Sequence, residues 1–480
     1  MKPEHYPMQP AHLWEHFYQI TRIPRPSKEE MAVRQYVIDQ AEAAGHAWQM
    51  DAQGNLVIRV PGSAGMESNG TVIIQNHLDM VTVKTEDKEH NFSTDPLSLQ
   101  VNDGWLLADR TTLGADNGVG CAAALAVMTD TEVAHPPLEL LFTVDEETGL
   151  GGALNLDAGL LTGTRMLNLD TEDWNELYIG CAGGGGWHFE RQFEQQALPD
   201  SEECWSLSLK GLAGGHSGIE IHHQLANAIK LLAQALDGID GLRLAGFDAG
   251  VAHNVIPREA SAVFACTPGQ GDVLAARLPA LRESWLGYLP AADNGLEFVL
   301  SPAIATMGLT EPDTARVCGL ISLMPHGPQA YSLEQPADLV DLSINLARLT
   351  LTDGLLFVES SFRFFNEQQS LPLQRTVLDL AALFELTVTP DVGYPGWQPD
   401  FSSKLLAQGI ALHERLFGFE PAVKAIHAGL ECGILKGKKT DLDILSFGPT
   451  IRGAHSPTER LEISTVTPFW QLLTTLLAEM

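Results

Sequence analysis

His and carboxylate residues stand at the ends of apolar runs throughout this chain of 480 residues. His77 and Asp79 close the run from Val72, Asp145-Glu146-Glu147 follow Leu138 to Val144, and Asp170 follows Met166 to Leu169. Asp116 opens a small-residue stretch, and His455 lies in a loop beyond Asp443 to Phe447. Such side chains are costly beside buried strands unless partnered. Two divalent cations would partner them all. Zinc takes imidazole nitrogen and carboxylate oxygen and, in catalytic sites, leaves a position for water. His77 and His455 can give each ion one imidazole, Asp170 and one of the glutamates can give each a carboxylate, and Asp116 can bridge the two. Ions about 3.5–4 Å apart lower the pKa of water towards ~7 and polarise a carbonyl. The pattern therefore predicts metal-assisted hydrolysis of small peptides.

Glu146 and Glu147 are neighbours, so their side chains diverge. One can bind metal while the other faces substrate as a general base, and spacing leaves open which does which. Asp79, two residues after His77, is expected to point the same way along an extended strand. There it can accept the second ring N–H of His77 and fix the tautomer. Each feature has a plainer reading when taken singly. The His-x-Asp can be incidental, Asp116 an N-cap, Asp145-Glu146-Glu147 a solvated acidic turn, and His455 an ordinary loop residue. Their order and shared context carry the joint reading.

The elements that must hold these residues follow from periodicity. Trp14, Phe17 and Ile20 recur at helical spacing, as do Met31, Val33, Tyr36, Val37 and Ile38 after the Pro24/Pro26 break. Strands are expected at 56–58, 72–74, 138–144, 166–169 and 443–447, with a hairpin over 97–107 turning at Asn102-Asp103-Gly104. Helices are expected at 119–128, 402–416 and 464–478. Alternating strands and helices predict an α/β catalytic domain around a mostly parallel central sheet, with ligands beyond the strands' carboxyl ends. Gly183-Gly184-Gly185-Gly186 reads as a linker. After it come longer alternating strands (206–209, 260–266, 339–364) and two helices, one of them over 225–236. The expected organisation is a catalytic domain in two parts, 1–186 and 393–480, with an inserted α+β domain over 187–392.

Net charge is -32, which disfavours nucleic acid and anionic membranes as partners. The six cysteines are scattered without a C-x-x-C pair, as expected of free thiols rather than a disulfide frame or thiolate metal site. No apolar run is long enough to cross a bilayer, and the first residues lack a secretory signal pattern; a cytoplasmic location is expected. Gly215-His216-Ser217-Gly218-Ile219 is not a nucleophile elbow, because Ile219 stands where glycine is needed. The glycine run lacks the spacing of a dinucleotide fingerprint.

A set of motifs resembles the M20 metallopeptidases, and within them the bacterial dipeptidases that act on Xaa-His peptides. They are HLDMV at 77–81, TTLGADNGVG at 111–120, TVDEETG at 143–149, NLDTE at 168–172 and GCAGG at 180–184. KGLAGGHSG at 210–218, NVIPRE at 254–259, YPGWQPD at 394–400, HAGLECG at 427–433 and GPTIRGAHSP at 448–457 continue the series. The resemblance spans nearly the whole chain. It implies two zinc ions per subunit, with manganese or cobalt as substitutes, held by His77, Asp116, Glu147, Asp170 and His455. It makes Glu146 the general base and Asp79 the residue that orients His77. It further implies that the inserted domain is a lid through which two subunits dimerise, and that dipeptides are the substrates. In that lid His216 would stabilise the tetrahedral intermediate, Arg363 would hold the substrate carboxylate, and Asn254 would be a further substrate contact. The rivals are an N-acyl amino acid deacylase of the same chemistry and a non-catalytic binding protein on the same fold. The intact ligand set disfavours the second.

Overall fold

The computed structural model describes residues 2–333 and 339–480, which divide into two units. The first unit comprises Met1–Cys181, Trp397–Ala425 and Leu430–Met480; the second comprises Ala182–Gly396 and Ile426–Gly429. The short return segment Ile426–Gly429 thus groups with the second unit, although the sequence reading placed it in the catalytic domain.

In the first unit an eight-stranded sheet is parallel only at its centre. Strand Val72–His77 lies between Leu138–Thr143 and Arg165–Asn168, parallel to both, and Asp443–Ser446 continues the parallel set beside Arg165–Asn168. Ala47–Met50 and Leu56–Val60 add antiparallel pairs at one side, and Glu176–Cys181 pairs antiparallel with Asp443–Ser446. The sheet is therefore mixed, with its parallel part confined to four strands. Those four need chain crossovers, and every residue of Val72–His77 and Leu138–Thr143 is buried, as parallel strands covered on both faces should be. Burying each Val, Ile or Leu there contributes about 1.5–3 kcal/mol. Helix Ala115–Thr129 covers the sheet with Gly, Ala, Cys, Val and Leu. Its small side chains let helix and strand approach closely.

The second unit is built on a nine-stranded antiparallel sheet. Its long hairpin joins Val340–Thr352 to Leu355–Phe364, which pairs in turn with Gly183–Gln192. The glycine run is thus not a linker but the opening of a central strand. A Cβ on Gly183 would lie 2.4 Å from the Gly396 nitrogen, and one on Gly186 would lie 2.8 Å from the Ser360 carbonyl. The residues are glycine because neighbouring backbone occupies the side-chain space. The sequence reading expected two helices here. Among the described residues there are four: Ala228–Leu236, Gln270–Leu286, Glu311–Leu323 and Glu367–Leu383. Pro279 and Pro372 sit inside two of them and masked the helical pattern.

Candidate metal centre

The four parallel strands point their carboxyl ends to one edge, and a candidate ligand ends or follows each. His77 ends its strand, Glu146 and Glu147 follow Thr143, Asp170 follows Asn168, and the chain beyond Ser446 leads to His455. Asp116 enters from the start of helix Ala115–Thr129. Its φ/ψ of -77°/114° is not helical, so its carboxylate is turned out of the helix instead of capping it. The Asp116–Asn117 peptide is cis.

These side chains converge. Nε2 of His77 lies 3.0 Å from Oδ1 of Asp116 and 3.4 Å from Oδ1 of Asp170. Nε2 of His455 lies 3.3 Å from Oδ2 of Asp116 and 3.0 Å from Oε2 of Glu147. One Asp116 oxygen therefore faces each imidazole. Three groups of donor atoms each lie within 4.8 Å of one another: His77/Asp116/Asp170, Asp116/Glu147/His455 and His77/Glu146/Glu147. Asp145, next to the glutamates, and His455 both adopt a left-handed backbone, with φ of 53° and 61°. Non-glycine residues are seldom held there without a local reason.

Electrostatics match the geometry. The hydrogen bonds of His455 to Asp116 and Glu147 raise its imidazole to about 11 against the opposing pull of burial. Burial works to lower His77, but Asp170 and Asp116 outweigh it and hold it well above its ordinary value. Burial works to raise Asp116, yet the His455 and His77 imidazoles keep it far below the carboxylate range. Asp170 is pushed up to about 6, chiefly by burial and with Asp116 adding repulsion. Burial, helped by Glu147, Asp170 and Glu431, raises Glu146 well above an ordinary glutamate. So many carboxylates packed together demand positive charge among them, and among the described residues Oε1 of Glu147 is buried without a hydrogen-bond partner. A pair of dications would satisfy both needs, and the imidazole-and-carboxylate donor set suits zinc.

Asp79 is fully buried but is not on an extended strand with His77, since that strand ends at His77. Nδ1 of His77 lies 3.2 Å from the backbone carbonyl of Asp79 and 3.5 Å from its Oδ1. The carboxylate accepts the N–H of Glu146 (3.1 Å), the N–H of Glu147 (3.1 Å) and the Ser27 hydroxyl (2.7 Å). Burial alone would raise it, but the bonds from His77, Ser27 and Glu146 bring it down to about 2.

Sequence reasoning passed over Glu431, a fully buried carboxylate that belongs to this unit. Its Oε2 accepts from Nε2 of Gln75 and Oγ1 of Thr143, each at 2.6 Å. Burial, with Asp170 and Asp79 adding to it, pushes Glu431 up to about 7. It lies within the quoted HAGLECG motif, so the signal was visible, but its helix position pointed to no strand end.

In the second unit, His216, Asn254 and Arg363 come together. Gly215–His216 pairs with Val255–Ile256, and the N–H of Ser217 donates to the Asn254 carbonyl at 2.8 Å. Nδ1 of His216 accepts the N–H groups of Gly218 and Ile219 at 3.2 and 3.1 Å, which leaves the proton of a neutral ring on Nε2. A Cβ on Gly218 would lie 3.0 Å from Cε1 of His216 and 3.1 Å from Nε of Arg363. Arg363 donates to the Tyr394 hydroxyl at 3.1 Å, and its Nε is buried without a partner among the described residues. No carboxylate of the described residues lies within ion-pair distance of Arg363, so its guanidinium is suited to receive an anion from outside.

Comparison with known proteins agrees with this architecture. The family model described as Peptidase family M20/M25/M40 matches residues 73–479. The chain is 38% identical over 477 residues to the cytosol non-specific dipeptidase of Escherichia coli (strain K12), covering 98% of each protein. The crystal structure of aminoacylhistidine dipeptidase from Vibrio alginolyticus superposes with a TM-score of 0.89 at 36% identity, over 98% of this chain and 97% of that one. A tripeptidase from Staphylococcus aureus shares the fold, with a TM-score of 0.55 at 15% identity over 98% and 97% of the two chains. Among the described residues, no helix is long and apolar enough to cross a membrane.

Proposed function

The chain belongs to peptidase family M20/M25/M40, and on that premise we propose that it is a dinuclear-zinc dipeptidase cleaving Xaa-His and other dipeptides. The observation that carries this reading is Asp116, whose two carboxylate oxygens face His77 and His455 separately. His77, Asp116 and Asp170 would hold one ion, and Asp116, Glu147 and His455 the other, with Mn2+ or Co2+ as possible substitutes. Bound there, the ions supply Lewis acidity, polarising the scissile carbonyl and easing ionisation of water.

The chain's own residues do the rest. Glu146 takes a proton from the attacking water and returns it to the departing amine. Its raised pKa suits a group that must hold that proton between the two steps. Asp79 fixes His77 and, through their backbone N–H groups, both glutamates. His216, whose Nδ1 accepts the N–H groups of Gly218 and Ile219 so that a neutral ring carries its proton on Nε2, is assigned to the developing oxyanion. Arg363 is assigned to the free carboxylate of the dipeptide, which would restrict cleavage to short substrates, and Asn254 to a neighbouring polar contact. A cytoplasmic location and a homodimer formed through the second unit complete the reading. The location is supported by the name of the Escherichia coli relative, and the homodimer by the family resemblance alone.

The test is elemental analysis of the purified protein together with turnover on a panel of Xaa-His dipeptides, other dipeptides and N-acyl amino acids, with and without chelator. Two zinc ions and chelator-sensitive cleavage of dipeptides are expected. Preference for the acyl amino acids would replace the dipeptidase by a deacylase.

A further inference from the structure

Two buried charged side chains of the first unit have no role in the chemistry above, and both end on the backbone of ligand-bearing loops. Glu459 is 2% exposed and follows His455 by four residues. Its Oε2 accepts the N–H groups of Leu113 (2.8 Å) and Gly114 (2.9 Å), and its Oε1 those of Ala115 (2.7 Å) and Asp116 (3.4 Å). Four consecutive amides, the last belonging to Asp116 itself, therefore converge on one carboxylate.

Arg25 is likewise 2% exposed and lies in the Pro24/Pro26 break. Its Nη1 donates to the carbonyls of Leu78 (2.7 Å) and Asp79 (2.6 Å), and its Nη2 to the carbonyl of Gly114. It thus ties the turn after His77 to the loop before Asp116. The fold has made space for it. Gly114 has φ of 65°, and a Cβ there would lie 2.5 Å from Nη2 of Arg25; one on Gly118 would lie 2.7 Å from the same atom. Among the described residues, the side-chain hydrogen bonds of Glu459 and Arg25 all go to backbone groups. A buried charge is costly without strong partners. Here both charges are spent on fixing backbone, and both grip the same loop, one through its N–H groups and one through a carbonyl.

We propose that Glu459 and Arg25 are positioning residues that set the spacing of the two metal-binding halves. Glu459 locks the His455 loop to Asp116, and Arg25 locks the His77 turn to the loop that carries Asp116. The inference rests on the dinuclear reading, and it makes the two halves separable. Loss of Glu459 should weaken the ion shared by Asp116, Glu147 and His455. Loss of Arg25 should weaken the ion shared by His77, Asp116 and Asp170. Partners one shell beyond a metal typically change affinity by about 10–100-fold.

The experiment is zinc titration against a competing chelator for the full chain and for Glu459→Gln, Glu459→Asp and Arg25→Lys. Amide hydrogen exchange at residues 113–116 is followed in parallel. Wild-type protein should bind two zinc ions and show slow exchange at those four amides. In Glu459→Gln one zinc should be held about 10–100-fold more weakly and the other weakened less, with faster exchange confined to 113–116. Glu459→Asp should fall between, and Arg25→Lys should weaken the other ion. A role in stability alone would lower the melting temperature and leave both zinc affinities unchanged, which overturns the proposal. If Glu459→Gln does not fold, Glu459→Asp and Arg25→Lys decide the matter by the same readouts. Wild-type protein that binds no pair of ions would instead refute the dinuclear reading itself.

Discussion

Oδ2 of Asp79 accepts the backbone N–H of Glu147 at 3.1 Å. The residue beside His77 therefore also holds the segment that carries both glutamates. A carboxylate can serve several donors at once because both its oxygens accept. An amide in its place offers one acceptor and turns an NH2 towards N–H groups. Asp79→Asn should accordingly lower metal affinity or kcat by about 10–100-fold without unfolding the protein. Kinetics paired with metal analysis check this, and wild-type values on both would remove Asp79 from the site.

Glu146 and Asp116 should fail in different ways. Glu146→Ala is expected to keep two ions and lose about 10²–10⁴-fold in kcat. Asp116→Ala is expected to lose the ion pair, since its two oxygens face the His77 and His455 imidazoles separately. Metal content measured beside turnover separates the two. Normal hydrolysis of Xaa-His dipeptides by the Glu146 variant would refute its assignment as base.

Arg363→Met tests the anchor. A hydrogen bond to a charged group contributes about 1.5–3 kcal/mol, so KM for dipeptides should rise roughly 10- to 100-fold. Dipeptide amides, which lack the free carboxylate, should show little change. Equal losses on both substrates would place Arg363 outside carboxylate recognition.

His16 gives the first unit a pH dependence remote from the metal centre. Its ring bonds to the Tyr36 hydroxyl (2.8 Å) and Oγ1 of Thr129 (2.9 Å), and burial, with nearby His12, lowers it to about 4. A base with a lowered folded pKa favours folding fully above its unfolded pKa of about 6.5. That contribution is lost as pH falls from there to about 4, because the unfolded chain takes up the proton first. The stability advantage of wild type over His16→Gln should shrink by about 3 kcal/mol across that window. Urea unfolding of both proteins at pH 7 and pH 4.5 measures it, and parallel pH dependences would contradict a buried neutral His16.

Much of this was legible along the chain. Apolar runs ending in His77, Glu146-Glu147 and Asp170 marked strands and the residues beyond them, because a strand's burial and the polarity of its end are local properties. The glycine run could not be read that way. Its residues are glycine because of backbone at Gly396 and Ser360, far away in sequence, so a strand looked like a linker. Helices containing Pro279 and Pro372 were hidden by a residue that usually ends them.

By itself the sequence determined which side chains could bind metal and roughly where each would emerge, since hydrophobic periodicity and residue type act over a few neighbours. Only the tertiary structure decided that Asp116 turns one oxygen to His77 and the other to His455, that Asp79 holds the glutamates, and that Glu459 and Arg25 grip one loop from two directions. Those relations join residues tens to hundreds of positions apart. Their geometry is set by the packing of parallel strands and the hydrogen-bonding needs of buried charge, which no local pattern records.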